Sequence, residues 1–250
     1  MLLQEEKMNR FKNVYNTREY EKRREDYLGI FDEGDFTEAK TASLGMGYSL
    51  EIRHYIKCDR APEGWERERS CTRSSLRDIG GREIFTFETV DFGNISGTSL
   101  IFTVKDREYL FFKENLYGYS VLDISDGHVM HYIPAGEYNE SFIIVQSLFC
   151  EDISAALCHG CIWAAPYSVC LCDLSDPMSE PKGYLMMEDV IDPSGDLRSG
   201  SNYFEDISLK EIKDGRYIFS AERYIEKKDE TIKEEYAFGS DFLRRCLNEM

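Results

Sequence analysis

Basic residues are in deficit. The chain carries 30 Lys and Arg against 47 Asp and Glu, a formal charge of −17 over 250 residues. A field of that sign repels phosphate backbones and anionic lipid, so no nucleic acid and no membrane surface is expected as a partner. Histidine (4), tryptophan (2) and proline (6) are scarce. No apolar run approaches the ~20 residues of a membrane span. The opening "MLLQEEKMNRFKN" lacks the apolar stretch of a signal peptide. The expected compartment is therefore cytoplasmic, and there the 8 cysteines are thiols. Nucleotide and hydrolase motifs are missing too. There is no G-x-x-x-x-G-K-[ST], no G-x-S-x-G and no H-E-x-x-H, and "GMGYSLEI" stops at two glycines.

What is present is aromatic and β-prone. Sixteen Tyr and fifteen Phe stand in a chain that is 42% hydrophobic, enough to bury a substantial core. Leu3 to Leu28 contains no Gly or Pro and many charges, which predicts an N-terminal helix within residues 1–30, a cap or an arm. From Tyr48 onward apolar runs alternate with short polar turns. "SLRDIGGREIF" (75–85), "TVKDREYLFF" (103–112), "CEDISAALC" (150–158) and "EIKDGRYIFS" (211–220) share one hairpin layout. "YSVLDISDG" (119–127) and "YSVCLCDLSDP" (167–177) repeat a second element close to fifty residues apart. Residues 31–250 read as one β domain of about four repeat units.

These units resemble β-propeller blades, and the chain broadly resembles uncharacterised bacterial propeller-like proteins. The resemblance implies a mainly β fold: an antiparallel meander of repeated hairpins, a small or incomplete propeller, with the N-terminal helix added. It implies that Asp123 and Asp173 end third strands of blades. It implies no activity.

"ALCHGCIWAAPYSVCLCDLSDP" (156–177) gathers four cysteines and a histidine. With "AAPY" as a tight turn, Cys161 faces Cys170 and His159 faces Cys172, so three sulfurs and an imidazole share a face, a zinc ligand set. The spacing opposes it. Opposed Cβ atoms lie ~4.5–5.5 Å apart and diagonals ~7–8 Å, a flat rectangle that does not close on one ion. Cys158 and Cys161 have C-x2-C spacing but point to opposite faces. A reactive Cys161 or Cys172 beside His159 lacks a basic neighbour or helix N-terminus to lower its pKa. The expectation is packing among small residues, with no metal and no cofactor.

"MMEDVIDPSGDLRSGSNYFED" (186–206) reads as a polar loop. Asp192, Ser194 and Asp196 match the first three positions of a calcium loop, but Gly195 is out of place. The expected function is binding of a protein partner, a basic one by charge, through aromatic anchors: Tyr117 and Tyr119 of "ENLYGYS" and Trp65 of "WERER". The alternative is a hydrolase or thiol/metal enzyme with its site at Cys158–Cys172 or in the 186–206 loop.

Overall fold

The computed structural model describes residues 12–28, 31, 36–60, 64, 66–89, 95–135, 142–162, 166–181 and 183–250. They are mainly strand, in two compact units that meet in sequence near residue 135. That boundary falls inside the stretch read from sequence as one β domain.

In residues 12–135, α1 (Arg18–Leu28) precedes eight strands. β1 (Phe36–Gly45), β2 (Tyr48–Arg60), β3 (Glu66–Arg77) and β4 (Glu83–Thr89) form one up-and-down antiparallel sheet. β5 (Leu100–Val104), β6 (Arg107–Phe112), β7 (Tyr119–Asp123) and β8 (Val129–Tyr132) form a second, after the one-turn α2 (Ile95–Thr98). The two share an apolar layer of Leu50, Ile52, Leu76, Phe87, Leu110 and Phe112. Turn chemistry sets their registers. Lys105 and Asp106 are both left-handed, the primed turn that matches strand twist.

The "Asp-x-Ser" element works as expected from turn chemistry at both repeats. Asp123 Oδ1 accepts from the Ser125 amide at 3.0 Å and Asp173 Oδ1 from the Ser175 amide at 2.9 Å. Each carboxylate thus closes the turn after its strand.

The predicted N-terminal helix is interrupted at residues 12–17. Lys12–Val14 is extended: Asn13 bridges Pro134, and Val14 donates to the Ile133 carbonyl at 2.8 Å. The Asn13 side chain bonds the His131 carbonyl and the Ile133 amide. Thr17 then accepts from the Tyr20 amide through Oγ1, an N-cap that starts the helix there. The remainder of the predicted helix, residues 1–11, lies outside the described residues.

In residues 142–250 one sheet runs β15-β14-β13-β11-β10-β9. Its strands are β9 (Ile143–Cys150), β10 (Ala155–Cys161), β11 (Tyr167–Asp173), β13 (Tyr203–Lys213), β14 (Arg216–Ile225) and β15 (Glu230–Gly239). The β11–β13 join is parallel and begins at Tyr167↔Asp206. The two-residue β12 (Leu185–Met186) covers the rest of that β11 edge. One face packs on α3 (Met187–Ile191) through Met187 and Val190, and on α4 (Ser240–Asn248) through Leu243 and Leu247. Among the described residues no helix is long and apolar enough to cross a membrane.

Candidate functional site

The cysteine hairpin pairs Ala155↔Asp173, Cys158↔Cys170, Gly160↔Ser168 and Cys161↔Tyr167. This is three residues away from the register expected of a tight "AAPY" turn, since β10 ends at Cys161 and β11 begins at Tyr167, leaving residues 162–166 as the connection. An odd shift exchanges faces. Cys158, Cys170 and Cys172 share one face, all fully buried, their three Sγ atoms within 4.8 Å of one another. His159 and Cys161 stand on the other. The set His159, Cys161, Cys170, Cys172 is therefore split by the sheet. His159 stacks on Tyr167 at 5.3 Å between ring centres. Burial first of all pushes the Cys170 and Cys172 thiols well up, so they keep their protons at neutral pH and are not nucleophiles. Gly160 is obligatory: a Cβ there would lie 1.9 Å from the Ile143 carbonyl oxygen.

Tyr117 and Tyr119 are buried, which corrects their reading as exposed anchors. Tyr119 stacks on Phe111 at 4.8 Å and meets Tyr132 edge-on at 5.5 Å. All five residues of β7 are buried, since this strand is covered on both faces and alternation cannot reveal that. Trp65 lies outside the described residues.

The turn before β7 holds a polar cluster that the sequence reading missed. Glu114 is 5% exposed. Its Oε2 takes Ser120 Oγ at 2.7 Å and His131 Nδ1 at 2.5 Å, and its Oε1 takes Arg24 Nη2 at 3.4 Å. Arg24 also donates to the Tyr15 hydroxyl at 2.9 Å, and the Tyr15 ring lies flat on His131 at 3.9 Å. Burial, then Glu114, raises the Tyr15 phenol; burial pushes Tyr20 up to about 12. The composition invites a Ser–His–Glu relay, but the geometry refuses it. Ser120 sits 3.1 Å from the same ring nitrogen that Glu114 occupies, and a relay needs nucleophile and orienter on opposite nitrogens. The cluster is a lock that ties α1 and the Asn13 segment to β6–β8.

The 186–206 segment is more ordered than a loop, since it supplies β12, α3 and the first residues of β13. Asp192, nearly fully buried, accepts the Arg198 amide at 3.1 Å and Nε at 3.2 Å; Arg198 also reaches Asp189 at 3.2 Å. Burial alone would raise the Asp192 pKa, but the N–H groups of Leu197 and Arg198 outweigh it and hold the carboxylate low. Ser194 Oγ donates to Asp196 at 2.7 Å, so all three residues that matched a calcium loop are engaged with protein groups. In a cleft lined by Phe149, Glu151, Asp152, Ile212 and Tyr217, Tyr217 donates to Asp152, and burial and that bond raise its phenol.

The surface feature that stands out is a pair of hairpin tips. Ser49↔Arg77 pairing brings the β1–β2 and β3–β4 turns to one end of their sheet. Gly45, Met46 and Gly47 are all left-handed. A Cβ on Gly47 would touch Ile79 Cβ at 3.5 Å, so the tips abut. Met46 is 53% and Ile79 91% exposed. Hydrogen bonds close the turn that carries Ile79. Asp78 Oδ1 accepts the Gly80 and Arg82 amides at 2.9 and 3.0 Å, Oδ2 pairs with Arg82 Nε at 3.1 Å, and Arg77 bonds the Gly81 carbonyl. The Arg82 amide foremost holds the Asp78 carboxyl below its ordinary range. The signal was in the sequence: "GMG" and "DIGG" carry apolar residues where hairpin turns carry polar ones.

No family model and no curated protein matches the chain. Among solved structures it is similar to an α-L-arabinofuranosidase from Podospora anserina in complex with cellotriose. Identity is 12% and the TM-score 0.29, over 81% of this chain and 63% of that one. The chain thus spans less than two thirds of that enzyme, and a likeness this distant carries nothing over to the present site.

Proposed function

We propose that the protein is a binding module for a protein partner, anchored by the paired tips that carry Met46 and Ile79. The observation that carries this reading is Ile79, 91% exposed on a turn fixed by Asp78. Apolar side chains on preformed turns bury area without a further ordering cost, which is how a small contact becomes a strong one. Arg82 and Glu83, beside the tip, supply a charged rim. Acidity is concentrated in residues 136–250, with 23 acidic against 11 basic residues, and such a field steers a basic partner. A cytoplasmic setting, in which thiols stay reduced, suits the same reading. We read the two four-stranded meanders as neighbouring blades of an incomplete propeller; each is a complete up-and-down sheet, with a shared apolar layer between them.

The test compares proteins that co-purify with the wild type and with Ile79→Asp and Met46→Asp. A specific partner should be held about 30-fold more weakly by both variants, the scale of a 2 kcal/mol hot spot, while their melting temperatures stay unchanged. With that partner in hand, added salt should slow association more than it speeds dissociation. Undiminished capture by both variants would reject the anchor.

A further inference from the structure

We propose that Cys158, Cys170 and Cys172 form a three-sulfur site for a monovalent thiophilic cation of the copper(I) class. The argument begins with the triangle. A metal ~2.3 Å from each of three sulfurs at 120° sets those sulfurs ~4.0 Å apart. Cys158 Sγ and Cys172 Sγ are 3.9 Å apart, and all three lie within 4.8 Å of one another. Cys170 stands directly opposite Cys158, and Met186 on β12 stands directly opposite Cys170. Opposed residues of antiparallel strands share a face, so a thioether borders the three thiols. Thiolate and thioether together select soft d10 ions. Zinc wants a fourth strong donor in a tetrahedron; among the described residues no fourth His, Cys, Asp or Glu joins the three sulfurs, and His159 and Cys161 stand on the other face.

The outer groups fit as well. Ser147 Oγ lies 3.6 Å from Cys158 Sγ. Ser168 Oγ is buried on the same strand face as Cys170 and has no hydrogen-bond partner among the described residues. Both hydroxyls can donate toward sulfur once it is anionic. On binding, three S–H bonds break and three metal–sulfur bonds form. Three protons leave for solvent, and the copper stays monovalent throughout. Access is by way of β12, which holds its side of β11 by only two residue pairs, Cys170↔Met186 and Leu171↔Leu185.

The test titrates reduced, full-length protein without oxygen against copper(I) buffered by bathocuproine disulfonate. The expected result is one copper(I) withdrawn per chain, three protons released per ion, and an X-ray absorption shell of about three sulfurs at ~2.3 Å. Cys172→Ala should weaken binding at least ~100-fold and Met186→Leu by ~10-fold or less, bracketing the range for outer partners. A Cys58→Ala/Cys246→Ala double variant should bind as the wild type does. The proposal is overturned if the wild type takes no copper from the chelator, if its sulfur count is two or fewer, or if the double variant is the one that loses it. The sulfur count comes from the wild type, so it decides the matter even where a core variant folds poorly.

Discussion

Glu114, in residues 12–135, and the thiols of Cys158, Cys170 and Cys172, in residues 142–250, are both buried, and opposite means keep them there. Glu114 takes His131 and Ser120 on one oxygen and Arg24 on the other. The Cys170 and Cys172 thiols stay neutral, because burial itself raises their pKa and a neutral thiol packs as a small apolar group. The first cluster is expensive to break and the second cheap. A buried charge penalises the loss of any one partner, whereas a buried thiol asks only for volume.

The largest effect should follow Glu114→Ala. It takes the shared carboxylate from Ser120, His131 and Arg24, leaving Ser120 to His131 and Arg24 to the Tyr15 hydroxyl. Arg24 and His131 keep 25% and 23% side-chain exposure, so the loss should fall near the low end for a broken buried pair, ~3 kcal/mol. Denaturant midpoints measure it. A loss no greater than that of a thiol variant would erase the contrast.

Glu234→Gln asks whether the contrast belongs to region or to charge, since it removes a carboxylate from residues 142–250. Arg223 donates to Glu234 at 3.0 and 3.3 Å, and that bond holds the Glu234 pKa below its ordinary 4.5. A carboxyl depressed in the folded state stabilises above its unfolded pKa and loses that contribution as pH falls through the folded value. The wild type should exceed the variant by ~1.5 kcal/mol at neutral pH, and the gap should close as the medium is acidified below about pH 4.5. A gap that persists in acid would mean the pair acts through packing rather than charge.

In the metal-free protein the smallest effect belongs to Cys172→Ala, about 1 kcal/mol for one buried sulfur. It should not vary between about pH 5 and 8, because the thiol carries no charge there. Thermal melts across that range check it, and a cost equal to that of Glu114→Ala would sink the account of thiols as neutral packing.

Local chemistry was legible in the sequence wherever a turn decided the outcome. The Gly80–Gly81 and Asp214–Gly215 hairpins and the Lys105–Asp106 turn lie where their residues put them. The cysteine register was not legible. "AAPY" and a connection over residues 162–166 fit the same string, and the three-residue difference reverses every side chain. Burial of Tyr117 and Tyr119 depends on a second covering layer, which no alternation encodes. The Ser120–His131 neighbourhood was within reach. The "SDG" turn fixes the β7–β8 hairpin, and Ser120 pairs directly with His131 across it. Its closing partners, Arg24 and Tyr15, come from about a hundred residues away and could not be inferred from spacing.

Met46 stays left-handed, φ 52, between two glycines that also are. A side chain there costs roughly 1–2 kcal/mol relative to glycine. In laboratory evolution, a library selected on heat resistance alone should drift to Gly or Asn at 46, the residues that accept this backbone cheaply. A library selected on retention of a partner should keep a bulky apolar residue in spite of the strain. The two outcomes separate what the fold prefers at this tip from what its surface is for.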